Sequence, residues 1–145
     1  MNKSGCVFCK LYQEPSSESS RVIQKTDDYF VVLSLHPQTK GHLLVIPVKH
    51  SEDLSEFSVL EMGSLFSAAV SMGEILINKL GAKAFTIKVN NQLFKLKGVG
   101  KGHVAHIHIH VLPRYTTGDK ESKVPQKAPL SDLESIRTVL TREKD

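Results

Sequence analysis

Apolar positions in this chain follow two periods, and the change from one to the other outlines a fold. Leu65, Ala69, Met72, Leu76 and Leu80 recur at steps of three and four. That spacing gathers them on one face of an α-helix, with Phe66 and Ile75 widening the stripe. Ser58 and Glu61 form a capping box, and Gly81 stands just past the last apolar position as a C-cap. The pattern predicts one long helix over residues 59–80. Elsewhere the apolar runs are short or alternate with polar residues. Residues 22–26, 29–35, 42–47 and 84–89 read as strands. Asp27 and Asp28 turn the chain between the first two. Pro37 ends the second, because a residue before proline avoids helix. Residues 15–20 are polar and turn-like. Residues 130–143 predict a short helix capped by Ser131, with Leu133, Ile136 and Leu140 along one side.

The last strand is the informative one. His106, His108 and His110 alternate with Ile107, Ile109 and Val111. A period of two puts three imidazoles on one face and three branched apolar side chains on the other, packed on a core. Successive imidazoles then stand roughly 6.5–7 Å apart, too far for all three to close on one metal ion. A merely solvent-facing strand is disfavoured, because four of the seven histidines fall within residues 103–110. Two readings stand: a metal site using two of the histidines, and a nucleophilic histidine oriented by its neighbours. They coexist if different histidines serve each. The order of elements predicts an α+β fold, a mainly antiparallel sheet of about five strands with one long helix packed on it.

At 145 residues with 40% hydrophobic content, the chain suits a single domain, residues 1–145, with a real core. No apolar run reads as a membrane span, and no secretory signal is visible at the start, so the cytoplasm is the expected location. The formal net charge of +4 is a mild excess. It suits a small anionic ligand and lacks the clustered basic stripe of a nucleic-acid binder. Cys6 and Cys9, three positions apart, point to metal or redox chemistry more than to a structural disulfide. A thioredoxin-like site needs a preceding strand, for which residues 1–5 are too few. Zinc binding, which requires two further ligands, is favoured over a pair of plain buried thiols. His42 reads as a core histidine satisfied by backbone.

The spacing His106-x-His108-x-His110, followed by Val111 and Leu112, resembles the signature of the histidine-triad (HIT) superfamily of small nucleotide hydrolases and transferases. The likeness extends from residue 6 to about 115, leaving 116–145 as a C-terminal extension. Cys6-Val7-Phe8-Cys9-Lys10 looks like the opening of many small HIT proteins. Gly41 to Pro47, then Lys49 and His50, looks like the family's upstream segment. Leu112-Pro113-Arg114 resembles the end of its triad strand.

The resemblance implies His108 as nucleophile, His110 beside the reacting phosphate, and His106 as a positioning residue. It implies a structural zinc, remote from the chemistry, on Cys6, Cys9, His50 and His106. Nucleotide contacts would come from Phe8, Leu11, Val32, Ser34, Leu35, Asn90, Gly102, His103 and His110. The activity implied is cleavage at the α-phosphate of a nucleotide conjugate, in the manner of a phosphoramidase or of a dinucleoside polyphosphate hydrolase. A nucleotide-binding module without catalysis is the alternative, and a homodimer is the usual assembly.

Three departures from the family pattern bear on this. Ser34 stands where an aspartate or asparagine usually holds the ribose, and offers one oxygen in place of two. Gly102 stands where the family has glutamine, with His103 beside it. Three roles are open for His103: protonating the leaving group, binding a phosphate oxygen, or facing solvent. Residues 92–97 lengthen the loop before the triad, and Leu93, Phe94 and Leu96 on it mark a contact with a ligand or another chain. Gly98, Gly100 and Gly102 permit close backbone approach to a phosphate.

Overall fold

A computed structural model describes residues 5–14, 21–98, 104–119 and 126–142. Gly102 and His103 lie outside the described residues, as does the turn expected over 15–20. The elements are α1 (Val7–Gln13), β1 (Val22–Lys25), β2 (Tyr29–Leu33), β3 (Leu43–Pro47), α2 (Val59–Leu80), β4 (Ala84–Val89), β5 (Ile109–Arg114) and α3 (Leu130–Thr141). The strands form one antiparallel sheet in the order β1-β2-β3-β5-β4. The fold is therefore α+β, as the order of elements predicts.

The central strand β3 is apolar at Leu43, Leu44, Val45 and Ile46 because both faces of the sheet are covered there. On one face Val31, Leu33, Leu43, Val45, Ile109 and Val111 pack with Leu65, Ala69, Met72 and Leu76 of α2. On the other, Phe30, Val32, Leu44 and Ile46 pack with Phe8 and Leu11 of α1. The pairing of Leu44 with His110 puts that imidazole on the α1 face. β5 begins only at Ile109, so His106 and His108 lie on an extended, bent approach to the strand. The alternation survives without the ladder: Ile107 still enters the α2-side core.

α2 spans the residues its periodicity predicts. The Ser58 hydroxyl accepts from the Glu61 amide at 3.1 Å, and the Glu61 carboxylate accepts from the Ser58 amide at 2.8 Å. Gly81 closes the helix at φ 82°, a conformation that suits glycine. Phe66 departs from expectation. It is 56% exposed, one step off the buried stripe, beside exposed Val59, Leu60 and Met62. By length and composition alone α2 is apolar enough to cross a membrane, as a core helix also can be, and its Leu65–Leu76 stripe lies in the sheet core.

The ends hold two further differences. α1 is a helix of seven residues that the sequence patterns did not predict, capped by the Cys6 sulfur, which accepts from the Cys9 amide. α3 begins after Pro129 rather than at a Ser131 cap. It buries Leu133 and Leu140, and packs on α2 and β1.

Gly73 marks a close crossing of α2 over the sheet: a Cβ there would lie 2.6 Å from the Phe85 ring. Gly73→Ala is expected to destabilise the chain by about 1–3 kcal/mol, measured by urea unfolding. Adding Phe85→Ala should make the two losses clearly less than additive, and strict additivity would refute this contact.

Candidate active site and metal centre

The triad lines up along the α1 face. The ring centroids of His108 and His110 are 4.9 Å apart, and Phe8 meets His106 and His108 edge-on at 5.8 and 5.2 Å. His106 is 2% exposed and His108 8% exposed, while His110 is half-buried.

Hydrogen bonds fix how each ring carries its proton. His108 Nδ1 lies 2.7 Å from the His106 carbonyl oxygen. A carbonyl only accepts, so Nδ1 carries the hydrogen and Nε2 keeps its lone pair. His42 Nδ1 accepts from the Gln38 amide at 3.0 Å, so its hydrogen is on Nε2. That Nε2 donates to His110 Nδ1 at 2.9 Å, which leaves His110 with its hydrogen on Nε2. His42 is thus more than a core histidine: it sets the tautomer of the third triad residue. The signal was in its parity, since it shares a sheet face with Leu44 and therefore with His110.

His106 faces elsewhere. Its Nε2 donates to the Pro47 carbonyl at 2.8 Å, so Nδ1 is a bare lone pair. Burial pushes its pKa down to about 4, which keeps the ring neutral. That Nδ1 lies 3.4 Å from Cys6 Sγ, 3.7 Å from Cys9 Sγ and 3.1 Å from His50 Nδ1. His50 approaches Glu52 through Nε2 at 3.4 Å, so its Nδ1 is also a lone pair. Cys9 Sγ is 3.4 Å from His50 Nδ1. The four donor atoms all lie within 4.8 Å of one another. The two lone pairs face each other beside two thiols, whose weak S–H donors are their partners when no cation lies between them. The donor set could hold a metal ion, and it joins the four residues that the family resemblance implies as ligands. Glu52, which orients His50, was missed; a carboxylate two positions after a ligand is the signal that marks it.

Asn90, Gln92, Phe94, Val104 and Glu52 line a cleft against His106 and His108. Its volume is only about 10 Å³, room for roughly one water. The cleft beside His108 is therefore narrow. Ser34 is turned to local use: its hydroxyl accepts from the His36 amide at 3.3 Å, and it borders a 170 Å³ cavity against Leu133 and Ile136 of α3. Leu35 packs with the α2-side core, away from Phe8 and Val32.

Residues 16–117 match the family model described as HIT domain. An uncharacterised HIT-like protein of Methanocaldococcus jannaschii is 32% identical over 116 residues, covering 80% of this chain and 83% of its own. Adenylylsulfatase HINT3 of Arabidopsis thaliana is 28% identical over 113 residues, 77% of this chain but only 53% of the plant protein. A zinc-bound histidine triad family protein from Mycobacterium smegmatis superposes with a TM-score of 0.71 at 26% identity, covering 94% of this chain and 93% of that one.

The depressed His106 pKa carries a pH signature for metal-free protein. The unfolded ring takes a proton near pH 6.5, the folded ring only near pH 4. Stability is then fully present above about pH 6.5 and is lost as pH falls toward 4, by up to about 3 kcal/mol. His106→Gln should flatten that limb in urea unfolding at stepped pH; an unchanged slope would contradict the assignment.

Proposed function

The chain belongs to the HIT domain family, and on that premise we propose that it cleaves nucleotide conjugates at the α-phosphate through a covalent nucleotidyl-His108 intermediate. The observation that carries this reading is the 2.7 Å contact of His108 Nδ1 with the His106 carbonyl. It reserves Nε2 as a nucleophile without need of a separate base.

In the first step the Nε2 lone pair attacks phosphorus. The nitrogen–phosphorus bond forms as the bond to the leaving group breaks, and that group departs with its electron pair and takes up a proton. In the second step water, or another hydroxyl acceptor, attacks the same phosphorus and loses its proton. The nitrogen–phosphorus bond breaks and the imidazole is restored. His110, with its hydrogen on Nε2, donates to a phosphate oxygen, and His42 holds it in that tautomer. Phe8, Leu11 and Val32, which share one apolar cluster on this face, contact the nucleoside, and Asn90 borders the phosphate. Ser34 and Leu35, which the family likeness would put at the ribose, lie toward α3 and the α2-side core and are left out of this reading. The adenylylsulfatase name of the plant relative supports a nucleotide conjugate as substrate. Phosphoramidates and dinucleoside polyphosphates are the two classes to try.

Cys6, Cys9, His50 and His106 hold zinc in this reading. A tetrahedral zinc with ordinary bond lengths separates its ligand atoms by roughly 3.3–3.8 Å. Separations of 3.4, 3.4 and 3.7 Å fall in that range, the 3.1 Å between His50 and His106 falls short of it, and the cluster as a whole spans 4.8 Å, so the ligand atoms shift by some tenths of an ångström to about 1 Å on binding. Zinc there supplies positive charge that offsets two thiolates. A homodimer is supported by the exposed Val59, Leu60, Met62 and Phe66 on α2 and by the open edge at β4.

The narrow cleft favours a second reading, a nucleotide-binding module without turnover. His108→Ala separates the two. Turnover should fall by at least roughly 10³-fold, while AMP affinity by calorimetry stays within about threefold. Intact-mass spectra of wild type should show the nucleotidyl adduct. Absence of turnover and adduct across both substrate classes would leave the binding module. Native mass spectrometry of reduced protein, purified without chelator, should find paired chains with one zinc each; a monomer, or a chain without zinc, would remove the corresponding assignment.

A further inference from the structure

The metal centre and the nucleophile share one residue. His106 contributes its Nδ1 to the donor cluster and its backbone carbonyl to His108. Its Nε2 is anchored separately on Pro47, and the next amide, of Ile107, donates to the Ser51 carbonyl at 2.8 Å. The same cluster fastens α1. That helix has seven residues, too few to persist alone in water. Its Cys9 and the capping Cys6 are both in the cluster, and between them stands Phe8, whose ring lies edge-on to both His106 and His108.

Resting on the reading of His108 as nucleophile, we propose that Cys6, Cys9 and His50 are positioning residues for it: by holding a metal ion with His106 they fix the carbonyl that orients His108 and seat Phe8 against its ring. The centre is thus coupled to the chemistry rather than remote from it. Without the ion, only weak S–H···N contacts join the two cysteines to His50 and His106, the His106 ring can swing about its remaining Pro47 contact, and α1 loses the metal tie that presents Phe8. The consequence is local, since the α2-side core contains none of these residues.

The test compares zinc-loaded protein, chelator-stripped protein and Cys9→Ser. Each is read by zinc content, by nitrogen-15 NMR of the histidine rings with His108 assigned from His108→Ala, and by AMP affinity. Loaded protein should show His108 as a single tautomer with hydrogen on Nδ1. Stripped protein and Cys9→Ser should show a mixture, with AMP affinity weakened by tenfold or more and far-ultraviolet circular dichroism retained. Unchanged His108 signals and AMP affinity after complete zinc loss would overturn the proposal. If Cys9→Ser does not fold, Glu52→Gln replaces it, since it weakens the hold on His50 without removing a ligand. Zinc titrated into that variant should move the His108 signal in step with occupancy, and a signal indifferent to zinc overturns the idea. Failure of the catalytic reading looks different: loaded wild type would form no nucleotidyl adduct at all. Failure of this one leaves the adduct forming equally well with and without zinc.

Discussion

The register between β3 and β5 is the constraint on which the site depends. Leu43 opposes Val111 and Leu44 opposes His110. Because side chains alternate across a sheet, a slip of one residue would drive an imidazole into the α2 core and Val111 out to the α1 face. Burial of β3 on both faces makes that slip costly, since apolar groups on each side are already matched to their own layer. The same pairing brings His42 level with His110 and lets one ring determine the proton position of the other.

Much of this was legible in the chain. The long helix, its capping box and its C-terminal glycine follow from local rules that packing did not override. The separation of the triad from its apolar partners follows from a period of two. The four residues of the donor cluster were named from a family likeness, and they converge. What the sequence hid was chiefly about partners. A period of two says which face a residue occupies, not whether the backbone is hydrogen-bonded, so His106 and His108 were assigned to a strand that starts at Ile109. Phe66 has the right chemistry for the core but sits one position off the buried stripe. His42 and Glu52 act through other histidines, a link that spacing marks only once the strand register and the donor cluster are known.

The site also shows how backbone carbonyls can direct side-chain chemistry. Two of the three triad rings are aligned by main-chain oxygens, of Pro47 and of His106, and the third by a histidine that is itself held by a main-chain amide. Tautomers set in this way do not require a buried carboxylate beside the nucleophile, whose charge would oppose an approaching phosphate. Glu52 lines the cleft, yet its contact with His50 belongs to the donor cluster.

The strand order has a consequence for biosynthesis. Among the described residues β5 is the last strand to be made, and it is inserted between β3 and β4, which emerge earlier. Until the ribosome has released it, the middle of the sheet is a gap, and two apolar strands present unpaired edges to the cell. The histidines arrive on the segment that closes this gap, so the nascent chain acquires its chemistry and its protection from aggregation in one event.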